Sequence, residues 1–103
     1  MNPNPEQYMA ALASGNSKRV AAASVRREVA AGTLSLADAL EDPRSRVLQI
    51  GRLLSSQRGW GDVKIRRALR TIDALPWKHV ESLTDRQRKL LVQIVNMNAR
   101  RAA

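Results

Sequence analysis

The stretch SSQRGWGDVKIRRALR, residues 55–70, places a tryptophan between two glycines, directly before a basic helical segment. An apolar-striped segment precedes it, so the pattern predicts two helices joined by a turn at QRGWG. Gly59 and Gly61 can adopt positive φ angles and let another backbone approach closely. Trp60 is predicted to turn inward and hold the two helices together. Residues 55–70 therefore predict a helix–turn–helix corner at the centre of the fold.

The second helix of this corner is predicted to begin at about Asp62, whose carboxylate suits a helix N-terminus. Its apolar residues share one face: Ile65, Ala68, Leu69 and Ile72. Its cations share the opposite face: Lys64, Arg66, Arg67 and Arg70. Free N–H groups at a helix start can bind an anion, and glycines leave room for a phosphate. A purely structural corner is the alternative, and the basic face favours nucleic-acid backbone binding over it.

The composition predicts one small domain with an aliphatic core. The chain has 103 residues, and its three aromatic residues are Tyr8, Trp60 and Trp77. The absence of cysteine excludes disulfides and thiolate metal sites and fits a reducing compartment. No apolar run approaches the ~20 residues of a membrane span, and no signal-peptide pattern is present. We therefore expect a cytoplasmic protein without a membrane partner.

The charge balance indicates the class of partner. Eighteen Lys and Arg residues oppose nine Asp and Glu residues, for a net charge of +9. Most of the cations are Arg, whose guanidinium makes forked contacts to phosphate and stays charged in every environment. A merely solvated basic surface is the alternative, but so large an excess in a small domain favours a polyanion such as nucleic acid.

Helical spacing recurs along the chain, so an all-α domain is predicted. Residues 1–16 are predicted to form a tail or short helix. The segment SGNS at 14–17 either interrupts the helix or lies inside one imperfect long helix. Ser17 is the expected N-cap of a basic N-terminal helix over 17–32, which Gly32 ends.

The predicted core domain occupies residues 33–99. A short helix over 34–40 is capped by Ser35 and stopped at Asp42-Pro43. The next helix is predicted from about Arg46 to Ser56, with a buried stripe of Val47, Ile50, Leu53 and Leu54.

The last helix is predicted to begin at a T-x-x-Q capping box formed by Thr84 and Gln87. Its expected apolar face is Leu90, Leu91, Ile94 and Val95. Residues 100–103 are predicted to be a C-terminal tail.

The stretch from about Arg26 to Leu91 resembles the actinobacterial (mycobacterial-type) integration host factor family. The resemblance lies in the order of five segments along the chain. A basic N-terminal helix comes first, and it is followed by GTLSLADAL, VLQIGRLL, GWGDVKIRRAL and HVESLTDRQRKLL. The family pattern around the hairpin is similar to G-V-G-K-V-R. At the corresponding residues 59–64 this chain reads GWGDVK. The resemblance implies a helix-two-turn-helix domain in a nucleoid-associated protein that binds duplex DNA through its backbone, compacts it and assists phage integration.

The resemblance also implies which residues contact DNA. The phosphate-gripping hairpin falls on Gly59, Gly61 and Lys64, with Arg66 and Arg67 beside it. The basic N-terminal helix of the family falls here on Lys18, Arg19, Arg26 and Arg27. The expected DNA-contacting set is completed by Arg58, Trp60, Lys78 and His79.

The chain departs from the family pattern at two places. The family's R-R-x-R element stands here as Lys78, His79, Val80 and Glu81, which reverses the third charge. Asp62 replaces a basic residue, and Arg58 replaces a proline and would restore the lost charge. These departures favour a divergent member of the family, carried on a host chromosome or by a bacteriophage.

The expected partner is double-stranded DNA, contacted mainly at phosphates by a monomer that could bridge two DNA segments in the nucleoid. RNA binding is one alternative, and a protein-interaction module such as a phage decoy of a host factor is another. No cofactor, metal site or enzymatic activity is expected, because His79 is the single histidine and the carboxylates are scattered. Trp77, which follows Pro76, is predicted to pack in the core, with stacking on nucleic acid as the alternative.

Overall fold

A computed structural model describes residues 5–102, with side-chain environments from Gly15 to Arg101. The helices are α1 (Pro5–Ala31), α2 (Leu36–Glu41), α3 (Ile50–Ser55), α4 (Asp62–Ile72) and α5 (Asp85–Ala102). Short 3₁₀ turns lie at Pro43–Ser45 and Val80–Ser82. Within residues 5–102 no strand is formed, and one isolated bridge pairs Gln49 with His79. The all-α prediction is confirmed. The predicted tail over residues 1–4 and the final residue lie outside the described part.

Helix α1 is one continuous helix, so the predicted start at Ser17 is wrong and the long-helix alternative is confirmed. A single Gly15 costs a helix interior only about 1 kcal/mol relative to alanine, which the alanine-rich flanks can offset. The predicted short helix or tail over residues 5–16 is therefore part of α1.

The C-terminal end of α1 has the predicted glycine in a left-handed conformation, with φ +81° at Gly32. The amide of Gly32 donates to the carbonyl of Val29 at 3.1 Å, and that of Thr33 donates to Glu28 at 3.0 Å. These two bonds form a Schellman motif, which satisfies carbonyls that have no partner within the helix. The predicted end of the basic helix is confirmed.

Helix α2 is capped as predicted, although it starts at Leu36 instead of Leu34. The Ser35 hydroxyl accepts a 3.1 Å hydrogen bond from the amide of Asp38. The helix stops before Pro43, and the Asp42 carboxylate then accepts the amide of Arg44 at 2.9 Å. This carboxylate therefore caps the following 3₁₀ turn.

Helix α3 is shorter than predicted, because it covers 50–55 and not 46–56. The backbone before it pairs with the distant segment 76–81. The Leu48 carbonyl accepts from Val80 at 2.9 Å, and the Ile50 amide donates to Lys78 at 2.8 Å. These bonds hold residues 46–49 out of the helix. Val47 is 40% exposed, so its predicted burial is wrong, whereas Ile50, Leu53 and Leu54 are buried.

Helices α4 and α5 begin where the sequence predicts. The apolar face of α4 is buried as expected. At α5 the capping box is reciprocal: Thr84 Oγ1 accepts from the Gln87 amide at 3.1 Å, and Gln87 Oε1 accepts from the Thr84 amide at 3.0 Å. The helix continues to Ala102, so the tail predicted from residue 100 is wrong for residues 100–102.

The core gathers aliphatic side chains from all five helices and includes Trp60. Its largest fully buried members include Val25, Val29, Ile50, Leu53, Leu54, Leu69 and Leu91. On α5, Leu91 and Val95 are buried, and Leu90 and Ile94 pack against the core half-buried. Within the residues described, no helix is both long and apolar enough to cross a bilayer.

Candidate nucleic-acid interface

The hairpin between α3 and α4 consists of two consecutive turns. The first continues α3, with the Gln57 amide donating to Leu54 at 3.1 Å. The second is closed by the Trp60 amide, which donates to the Gln57 carbonyl at 3.1 Å. Gly59 is the third residue of that turn, and its φ of +90° is the reason for glycine there. Gly61 has φ −86° and ψ 177°, so its predicted positive φ is wrong and it serves as the extended N-cap of α4.

Trp60 packs inward as predicted, with 8% of its surface exposed. The Lys64 Nζ lies 5.0 Å from the centroid of its ring, within cation–π range. Burial leaves little of this ring for a DNA contact. Trp60 therefore supports the hairpin from beneath, and its small exposed area disfavours the direct DNA contact that was expected of it.

The hairpin backbone offers fewer free donors than the sequence predicts. The Trp60 amide is already used within the turn. No side chain among those described caps the N-terminus of α4, but the exposed carboxylate of Asp62 lies in its first turn. A negative charge at this end of the helix opposes a phosphate, so flanking cations must supply most of the attraction.

The basic N-terminal helix touches the start of the hairpin. Arg26 Nε donates to the Ser56 hydroxyl at 3.1 Å, across a separation of thirty residues. Arg27 instead donates to Ser24 on its own helix at 3.1 Å. The two arginines of α1 thus have different partners: Arg26 is hydrogen-bonded to the end of α3, and Arg27 is hydrogen-bonded within α1.

A cleft between α1 and α3, of about 440 Å³, has a strongly basic lining. We call it the α1–α3 cleft. Its described cations are Lys18, Arg19, Arg26 and Arg52, and no acidic residue is among its described lining. Two predicted helices therefore contribute charge to one concave surface.

A second cleft, the α3–α4 cleft, continues this surface, because Arg52 lines both. It also contains Arg66 and Trp77, with Asp62 as the acidic side chain among its described lining. We define the basic face as Lys18, Arg19, Arg26, Arg52 and Arg66.

The predicted pair Arg66 and Arg67 is divided between the two flanks of α4. Successive residues of a helix project about 100° apart. Arg67 lines a different cleft, with Lys64, Asn98 and Arg101, against α5. Arg58 and Gly59 line another groove, formed with α2 and α5. Lys64 lines both this groove and the cleft of Arg67, so Arg58, Lys64 and Arg67 lie along one continuous surface. Among the predicted hairpin cations, Arg66 is the one that lies on the other flank.

The two remaining predicted residues have different surroundings. Lys78 is half-buried, and its Nζ donates to Gln87 Oε1 at 3.0 Å, which ties it to the α5 cap. His79 is exposed beside the backbone bridge to Gln49.

Both ion pairs found among the described side chains involve Arg44. It contacts Glu28 at 2.7 Å and Asp42 at 2.8 Å. The hydrogen bonds from its guanidinium hold the pKa of the Asp42 carboxyl below its usual value, and the carboxylates raise the pKa of Arg44. The cations of the basic face have no carboxylate partner among the described ion pairs, so their charge is available to a ligand.

Two residues of this surface were not among the predicted contacts. Arg52 is the single cation of α3. Sequence reasoning missed it because that helix was interpreted by its apolar stripe. Trp77 is 62% exposed, so its predicted core packing is wrong. Pro76 packs against Gly51, and the side chain of Trp77 that follows it is exposed.

Among the described residues, no three His, Asp or Glu side chains gather as a metal site would require. Comparisons with models of known protein families, with curated proteins and with solved structures find no match to this chain. The likeness to integration host factors therefore rests on the order of sequence segments alone.

Proposed function

We propose that the protein binds double-stranded DNA through its phosphate backbone, with the basic face as the contact surface. The observation that carries the proposal is the convergence of cations from α1, α3 and α4 on two clefts that share Arg52. Arginine forks suit phosphate oxygens, and neutralising phosphates releases counterions. The net charge of +9 adds long-range attraction to any DNA segment.

The proposed binding is sequence-tolerant and architectural, as in a nucleoid-associated protein of the integration-host-factor type. Phosphate contacts position a protein on the duplex but carry no sequence information directly. The cations of α1 lie between Lys18 and Arg27, which is about 14 Å along the helix and long enough to contact more than one phosphate. A second duplex would find cations on the other flank of α4, where Lys64, Arg67 and Arg101 line a cleft.

Salt dependence of DNA affinity is the direct test. Binding of a labelled random-sequence duplex is followed by fluorescence anisotropy from low to moderate salt. Each neutralised phosphate contributes about −0.9 to the slope of log affinity against log salt. We expect the variant Arg26→Ala/Arg52→Ala/Arg66→Ala to bind more weakly and to have a slope shallower by about 2 to 3 units.

A matched control removes the same charge elsewhere. Arg86, Lys89 and Arg100 are exposed on α5 and lie outside both clefts. Their combined replacement by alanine should retain most of the slope, and circular dichroism should show equal helix content in both variants. Equal losses in the two variants would contradict a defined basic face. Stronger binding of a matched RNA duplex would favour the RNA alternative, and no binding of either would favour a protein partner.

A further inference from the structure

The segment Leu75–Trp77 forms an exposed apolar tip between α4 and α5. Leu75 is 55% exposed and Trp77 is 62% exposed, and Pro76 between them is also exposed. A large aromatic side chain left in water is unusual in a chain with so few aromatics, because its burial would contribute strongly to the core. Because Leu75 and Trp77 lie within three residues of each other, they form a local apolar patch that is a candidate contact with another molecule.

The tip is held rigidly by backbone hydrogen bonds. The Gly51 amide donates to the Pro76 carbonyl at 2.8 Å, and the Lys78 amide donates to Leu75 at 3.0 Å. A Cβ atom at Gly51 would lie 3.0 Å from Pro76 Cβ and 3.0 Å from its carbonyl oxygen. Glycine at this position therefore lets the tip seat directly on α3, so little backbone freedom of the tip remains to be lost on binding.

The surroundings of the tip identify the chemistry of its partner. Trp77 shares the α3–α4 cleft with Arg52 and Arg66 of the basic face and with the single carboxylate of Asp62, so cations outnumber anions among the described lining. An apolar protein partner would not favour two unpaired guanidinium groups at its edge. An exposed aromatic ring that shares a cleft with two arginines suits a nucleic-acid base, whose faces are apolar and whose flanking groups are anionic.

We propose that the Leu75–Trp77 tip inserts partway between base pairs of the bound duplex and kinks it, while Arg52 and Arg66 hold the adjacent phosphates. This inference rests on the proposed DNA binding. Proteins that bend DNA use apolar wedges in this way from the minor groove. Pyrimidine–purine steps unstack most easily, so the tip confers a preference for TA and CA/TG steps without hydrogen bonds to bases.

Tryptophan emission tests the insertion directly. Trp60 is buried and serves as a constant background, so the difference between wild type and Trp77→Phe reports on Trp77. We expect quenching of this difference signal on a duplex with a central TA step. End-to-end energy transfer on a doubly labelled duplex should show bending with the wild type and less with Trp77→Ala.

Affinity measurements complete the test. Trp77→Ala removes no charge, so its salt slope should equal that of the wild type while its affinity falls about tenfold. Trp77→Phe should recover most of this loss. Met97→Ala, which shortens another exposed apolar side chain on α5, should bind as the wild type does.

The outcomes separate the two proposals. If anisotropy shows no duplex binding, the proposed function fails and the insertion fails with it. If the duplex binds with the slope expected of the basic face but Trp77 emission, DNA bending and Trp77→Ala affinity are all unaffected, the insertion is wrong while DNA binding stands.

Discussion

At the scale of single residues, the two glycines beside Trp60 have different roles. Gly59 has φ +90°, a conformation that L-residues rarely adopt, whereas Gly61 has φ −86°. A Cβ atom would meet nothing within 4 Å at either position. Backbone strain is therefore the difference between the two sites, and identical substitutions can isolate it.

We expect Gly59→Ser to lower the free energy of unfolding by about 1–2 kcal/mol, because a side chain disfavours the left-handed region. Gly61→Ser should be neutral or stabilising by a few tenths of a kcal/mol, since serine is a good N-cap. Urea denaturation of both variants measures the contrast. Equal destabilisation would show that the second turn does not hold Gly59 at positive φ.

At the scale of elements, Arg44 links α1 to the turn after α2. Its guanidinium contacts Glu28 on α1 and Asp42 at the cap of the 3₁₀ turn. This connection fixes the end of α1 against the domain. It also commits the guanidinium to structure, which separates Arg44 from the cations of the basic face.

The stability of this link should depend on pH. The pKa of Asp42 is lowered by hydrogen bonds from Arg44, so its contribution is complete above its unfolded pKa of about 3.9 and is lost as pH falls through the lower folded value. Asp42→Asn keeps an oxygen that can cap the turn but removes the charge. Thermal unfolding should show that this variant loses less stability than wild type as pH falls below about 4. Parallel acid profiles would rule out a charged role for Asp42.

At the scale of the whole molecule, the excess of cations should affect folding and binding in opposite directions. The net charge is +9, and Arg44 makes the ion pairs found among the described side chains. Self-repulsion of like charges destabilises a compact chain and is screened by salt. Added salt should therefore raise the melting temperature of the free protein while it weakens DNA binding.

Calorimetry of the free protein across the same salt series as the anisotropy experiment checks this expectation. Chloride and fluoride salts should give the same rise, since screening depends on ionic strength. A melting temperature that falls with salt would mean that the cations stabilise the fold through ion pairs, which would contradict their availability to DNA.

The features that the sequence determined by itself depend on neighbouring residues. Thr84 and Gln87 form their reciprocal cap, Ser35 caps α2, and Gly32 ends α1, because each of these contacts closes within a turn of helix. The apolar face of α4 follows in the same way from helical spacing. The excess of positive charge, which motivates the proposed partner, is also a property of composition alone.

Tertiary structure decided the rest, because the contacts involved connect distant parts of the chain. Hydrogen bonds between segment 76–81 and residues 46–51 shorten α3 and fix the backbone on either side of the exposed Trp77. Packing of α4 between α3 and α5 sends Arg66 and Arg67 into different clefts. Arg52 joins the α1 and α4 cations only because those helices flank α3. Helical periodicity predicts which residues share a face but not which neighbour that face meets, so the composition of the candidate site required the fold.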